Sequence, residues 1–328
     1  MQEIEIKLKK LNNLLHKQRK FETKIEFVDK SLNLEKSVLG EIKPEMMPEL
    51  FRNHEDSVHE EAVINEIKLV YNPYNICSLP NNKLLVSDYI NNQLLYYDEN
   101  FQLIKTIKQI DGHSFCPLGI STDGNNKIYV CDHDNNRIIL VDYNFKIKKM
   151  FGRKGSGTNE LKHPYDAYYY SNQVFVCDLG NKRIQQLTSD LTFIKSFKLD
   201  YEPWQLVALN GKLFVRSYNE KAIYIYDINT WNSNNDHEGK IDGHNGILCK
   251  CGSHVYEFNT KYSKIYCYNQ NGVLLNYIDL NLKNFYFYHL FGFTLLENKN
   301  IFVISAGEKF LTVRNKPNVE LCGETWSF

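Results

Sequence analysis

The sequence predicts an all-β fold, a six-bladed β-propeller, behind an α-helical N-terminal segment. Three observations predict it: a phrase that returns every 39 to 48 residues, strand-like runs joined by Asn, Asp and Gly turns, and an opening stretch of 43 residues whose apolar spacing is helical. Self-similarity at a period of about 40 to 50 residues marks a propeller or solenoid array.

The phrase is clearest in VCDHDNNRIILVD (130–142) and VCDLGNKRIQQL (176–187). With the residue closing the apolar strand as marker, it recurs at Asp88, Asp132, Asp178, Ser217, Glu257 and Ser305. A second strand begins five residues later at Gln93, Arg137, Arg183, Ala222 and Phe310, and seven later at Lys264. Pro73, Pro117, Pro164 and Pro203 stand 14 or 15 residues before the first four markers.

Each unit reads as a small antiparallel sheet, because its runs are short, rich in Val, Ile, Tyr and Phe, and separated by turns such as STDGNN and NQNG. The run IYVCD (128–132) is apolar on both alternating faces, as in a sheet packed between two neighbours. The last run of a unit, as in FKIKKMF (145–151), mixes lysine with apolar residues, which suits an outer edge strand. Six such units fill residues 61–328, and a strand near 62–69 is expected to complete the last blade beside Thr312 or Thr325.

Upstream, Ile4, Leu8, Leu11 and Leu15, then Phe21, Ile25, Val28 and Leu32, follow a 4-3-4 spacing. Residues 1–43 are therefore expected to form an amphipathic helix or coiled coil through which the chain pairs with itself, and 44–60 to form a linker. Lys plus Arg equal Asp plus Glu at 39 each, so no overall field favours nucleic acid. The chain has no long apolar run and no apolar stretch after Met1, which predicts a cytoplasmic protein without a membrane partner. The eight cysteines are expected as reduced, largely buried thiols.

The order proline, strand, Val-x-Asp and then Asn-x-Arg-Ile resembles the NHL repeat. Residues around Asp132–Arg137 and Asp178–Arg183 match it closely, the Asp88 copy carries Gln93 where Arg is usual, and later copies match by period. A coiled coil before such a propeller resembles the C-terminal half of tripartite-motif proteins. No Cys-x-x-Cys pair precedes Cys77, so the zinc-binding RING and B-box modules are missing, as in a fragment or a shortened relative. The resemblance implies a non-enzymatic scaffold that recognises a protein partner, in a ubiquitination pathway whose catalysis another chain supplies, with no cofactor. It also implies a rival, an RNA-binding regulator, since some NHL propellers bind single-stranded RNA on one face. A more distant alternative is a metal-dependent lyase like the amidating lyases, for which His113, His163 and His244 would have to converge on the channel.

Candidate residues follow. Asp88, Asp132, Arg137, Asp178 and Arg183 are expected to be structural, as corner pairs worth about 0–1 kcal/mol if exposed. Arg153, Lys154, Lys162, His163 and Tyr165 mix cations with aromatic and loop residues and are the candidates for binding RNA or a partner. Cys249 and Cys251, near His254 and Cys267, are too closely spaced for a usual zinc pair, so no metal ligands are expected. Tyr168, Tyr169 and Tyr170 and the aromatic run after Asn284 are expected mainly to pack between blades.

Overall fold

Apolar residues on both faces of a strand need a packed neighbour on each side, and the chain meets that need by stacking small sheets around a channel. The computed structural model describes residues 63–68, 73–231, 237–243, 246–259, 261–280, 290–296, 301–306 and 309–314. The expected helix of 1–43 and linker of 44–60 lie outside these residues. No helix among the described residues is long and apolar enough to cross a membrane.

The first strand, β1 (Val63–Lys68), belongs to the last sheet. Blade 1 is β2 (Asn75–Leu79), β3 (Lys83–Asp88), β4 (Gln93–Tyr97) and β5 (Leu103–Ile107), and blade 2 is β6 (Pro117–Thr122), β7 (Ile128–Asp132), β8 (Arg137–Val141) and β9 (Ile147–Phe151). Blade 3 is β10 (Pro164–Tyr170), β11 (Gln173–Asp178), β12 (Arg183–Thr188) and β13 (Phe193–Lys198). Blade 4 is β14 (Pro203–Leu209), β15 (Lys212–Ser217), β16 (Ala222–Asp227) and β17 (Gly239–Asp242), and blade 5 is β18 (Ile247–Cys251), β19 (His254–Asn259), β20 (Lys264–Tyr268) and β21 (Leu274–Asp279). All pairings within these five blades are antiparallel between sequence neighbours. A further four-stranded sheet runs β1, β24 (Lys309–Arg314), β23 (Ile301–Ala306), β22 (Leu290–Leu296). Within it the expected strand before Pro73 is present as β1, antiparallel to β24, with Asn65 opposite Thr312. The all-β propeller is thus as expected, while the count of six goes one beyond the five blades built from consecutive strands.

Alternation along a strand sends successive side chains to different neighbours. In β7, Ile128 and Val130 pack with Leu85 and Leu94 of blade 1, whereas Tyr129 and Cys131 pack with Ala167, Val174 and Val176 of blade 3. Phe175 and Cys177 then meet Leu206, Leu213 and Val215 of blade 4, and Val207 and Phe214 meet Leu248 and Val255 of blade 5. Burying an aliphatic or Phe side chain of this kind contributes roughly 1.5–3 kcal/mol, so the interfaces between blades are the core. Cys131 and Cys177 are buried and unoxidised, as expected. Cys267 is instead disulfide-bonded, which corrects the expectation of reduced thiols at that residue.

The inner strands lie close together. A Cβ on Gly119 of β6 would fall 2.6 Å from Asp166 Cα and 2.8 Å from Tyr165 O, both on β10. Gly119→Ala is expected to force two backbones apart and lower stability by about 1–3 kcal/mol, measured by urea unfolding.

The repeated Asp turns out to be buried, which corrects the expectation of weak, exposed pairs. Asp132 and Asp178 are both fully buried. Asp132 accepts from Cys116 N at 2.8 Å, Asn135 Nδ2 at 2.8 Å and Arg137 Nε at 2.7 Å. Asp178 accepts from Lys162 N at 2.7 Å, Asn181 Nδ2 at 2.9 Å and Arg183 Nε at 2.7 Å. In blade 1, Asp88 accepts from Asn91 and from Gln93 Nε2, each at 2.8 Å, so the amide stands in for the guanidinium. The fifth copy also needs correcting. β19 runs two residues past Glu257 and pairs Asn259 with Lys264, so Asn259 is the corner residue and the five-residue interval is restored.

Candidate functional site

Bulges at the start of two inner strands build one end of the channel. In β10 the register slips between Pro164 and Asp166, and in β14 between Pro203 and Gln205, leaving Tyr165 and Trp204 outside the ladder. A bulge re-aims a side chain, and here both rings meet at the channel mouth, 5.6 Å apart and edge to face. Tyr74, directly before β2, reaches across to Tyr165, and their hydroxyls share a hydrogen bond. Tyr218, after β15, packs on Trp204 at 5.3 Å and stands half-exposed. Tyr89 and His133, from the corresponding turns of blades 1 and 2, extend the cluster through Tyr74 and Tyr165 at 6.0 and 5.6 Å.

Beneath these rings, Asp166, Gln205 and Arg216 help line a recess of about 290 Å³, open mouth included. Gln205 bridges blades, donating to Leu248 O at 3.1 Å and accepting from Leu248 N at 2.8 Å. Asp166 accepts from Ala167 N at 2.9 Å and Leu206 N at 3.1 Å. Burial nevertheless pushes its carboxyl up to about 7, with those two hydrogen bonds acting the other way. The Arg216 guanidinium carbon lies over the Trp204 ring, 3.9 Å from its centre, and burial pushes the group down to about 10.

Of the five residues singled out for binding, two stand in the aromatic cluster and three in or beside the loop that precedes blade 3. His163 and Tyr165 reach the mouth, whereas Arg153 and Lys154 lie in the loop between blades 2 and 3, where Arg153 pairs with Glu160 at 3.1 Å. That loop is tied down. Arg183 donates to Ser156 O, Gly157 O and Glu160 O, each at 2.8 Å, and the backbone of Lys162 joins Asp178 and Gly180.

His163 meets His133, a residue outside the trio that the lyase alternative would require. Its ring lies 4.9 Å from that of His133, and its Nδ1 is buried without a hydrogen-bond partner. His133 Nδ1 is 2.7 Å from Asp134 Oδ1, and burial holds the His133 imidazole below its ordinary pKa against that contact. The three side chains bring one potential metal-ligating atom each within 4.8 Å of one another. His113 instead bridges to Ile110, and His244 lies outside the described residues. No grouping of metal ligands among the described residues includes Cys249 or Cys251.

The signals missed in the sequence are compact. Three of the four repeat prolines precede an aromatic residue: Pro73-Tyr74, Pro164-Tyr165 and Pro203-Trp204. Arg216 stands directly before the marker, where the first three copies have Ser87, Cys131 and Cys177.

No family model matches the chain, and no curated protein matches it in sequence. The NHL and tripartite-motif resemblance therefore rests on the quoted residues alone. Solved structures do match. A streptogramin B lyase is similar with a TM-score of 0.57 at 13% identity, covering 79% of this chain and 99% of that one. A virginiamycin B lyase from Staphylococcus aureus gives 0.56 at 13%, covering 78% and 100%. A gluconolactonase from Xanthomonas campestris gives 0.59 at 13%, covering 78% and 90%. At such identity the feature this chain shares with them is the β-propeller fold.

Proposed function

We propose that the chain is a recognition module that seats a protein segment on the aromatic mouth of its channel, without chemistry of its own. The observation that supports this reading most is the joining of Tyr74, Tyr165, Trp204 and Tyr218, from three blades, into one partly exposed cluster around a recess. Large amphipathic rings beside desolvated pockets are the usual anchors of protein interfaces. The sheet containing β1 acts as a sixth blade that joins the two ends of the array, since it pairs the first described strand with the last three. Residues 1–43 pair two such discs, raising the effective concentration at a repeated target. Service in a ubiquitination pathway follows only from the tripartite-motif resemblance.

The test is selection of random displayed peptides against the full chain. Peptides are expected to emerge whose affinity falls about thirty-fold with Trp204→Ala, the roughly 2 kcal/mol of an aromatic anchor. A selection yielding none sinks the reading. Single-stranded RNA bound with steep salt dependence, and released on charge reversal at Arg153 and Lys154, would replace it with the nucleic-acid rival.

A second, catalytic reading draws on His133, Asp134 and His163 at the same mouth. The lyase and lactonase names belong to proteins that share only the fold. Stoichiometric divalent metal retained by the purified chain would favour this reading.

A further inference from the structure

The position before the strand-end corner faces the packed interior in the first three blades. Blades 1 to 3 place Ser87, Cys131 and Cys177 there, and all three are buried. Blade 4 places Arg216, opposite Gln205 in the ladder, and only 7% of it is exposed. A buried charge is tolerated when it is paired and hydrogen-bonded. Arg216 has no ion-pair partner among the described residues, and its Nε is buried without any hydrogen-bond acceptor. Its one close contact of this kind is the face of Trp204. Glu257 is the carboxylate whose charge acts most on it, but Glu257 accepts from Gly246 N at 2.7 Å and Tyr268 Oη at 2.8 Å. Asp166, on the same recess, is turned to two backbone N–H groups. The guanidinium is therefore a held cation facing a recess, with the buried Glu257 carboxylate near it but no direct ion pair among the described residues.

We propose that Arg216 receives a carboxylate of the bound protein segment, an Asp or Glu side chain or a C-terminus, between the rings of Trp204, Tyr74 and Tyr165. This rests on the mouth being the ligand site and adds what the site selects. The contact with Trp204 helps hold the guanidinium in place, and its N–H fork is of the kind that forms two parallel hydrogen bonds with a planar carboxylate. The balance of 39 cationic and 39 anionic residues supplies no general field for a polyanion.

The experiment uses the full chain and peptides whose binding depends on Trp204. Each peptide is resynthesised with its acidic residues changed to the matching amides and its C-terminus amidated, and with phosphoserine in place of the acid. The acid form is expected to bind at least about ten-fold more tightly than the amide form, and Arg216→Gln is expected to bring that ratio to about one. Should Arg216→Gln fail to fold, Arg216→Lys keeps the charge, loses the fork and is expected to lose most of the ratio. Trp204-dependent peptides indifferent to the acid-to-amide change would overturn the carboxylate assignment and leave the mouth reading standing. A preference for phosphoserine would overturn it in favour of phosphate. Absence of any Trp204-dependent peptide would overturn both.

Discussion

Arg183→Ala is expected to lower stability by about 3–5 kcal/mol, which for a domain of this size moves the melting temperature down by roughly 6–15 °C. The Arg183 side chain is 11% exposed and Asp178 is fully buried, so removing the guanidinium leaves a carboxylate without its counter-charge. It also frees the carbonyls of Ser156, Gly157 and Glu160, which Arg183 ties to the start of blade 3. Arg183→Lys rescues only part of this, because an ammonium cannot reproduce the fork. Arg137→Ala is a graded control, since its side chain is 21% exposed and donates to a single carbonyl, Ser114 O. Thermal melts of the three variants decide the matter. An Arg183→Ala protein melting within a degree or two of the parent would show that the repeated corner pair does not hold the blades.

Asp166 is expected to make the propeller lose stability as pH rises from about 4 to about 7. Burial pushes its folded-state carboxyl up to about 7, whereas an unfolded Asp titrates near 3.9. Between those values the folded state binds more protons than the unfolded state, so its contribution is full below the unfolded value and is lost on passing the folded one. Three pH units at 1.36 kcal/mol each bound the loss at about 4 kcal/mol. Asp166→Asn cannot ionise, so the difference between parent and variant isolates this group from every other titration. Urea unfolding at a series of pH values is expected to give curves that diverge from pH 4 to 7 and run parallel above. Curves parallel throughout would mean that Asp166 stays ionised in the folded state.

Both residues show where the sequence was readable. Arg183 could be placed beside Asp178 because an interval of five spans a tight hairpin, and local geometry fixes that contact whatever surrounds it. Its burial was not readable, since it depends on the loop of residues 153–161 folding back over it. The irregular copy at Glu257 was misread for a related reason: apolar alternation finds a strand but not its last residue, and the pairing of Asn259 with Lys264 supplied the boundary. Asp166 sits in an ordinary strand run, and nothing in its spacing separates a buried carboxylate from an exposed one.

The sequence by itself determined the repeat, the antiparallel units and the strand near 62–69 returning to the last sheet, because period and alternation are local properties that every copy restates. The mouth, by contrast, exists only once the blades are folded together. Tyr74 and Tyr165 are 91 residues apart and meet because inner strands of separate blades end at the same rim. Arg216 is buried against Trp204 because the blades close around it, leaving its Nε without a hydrogen-bond acceptor.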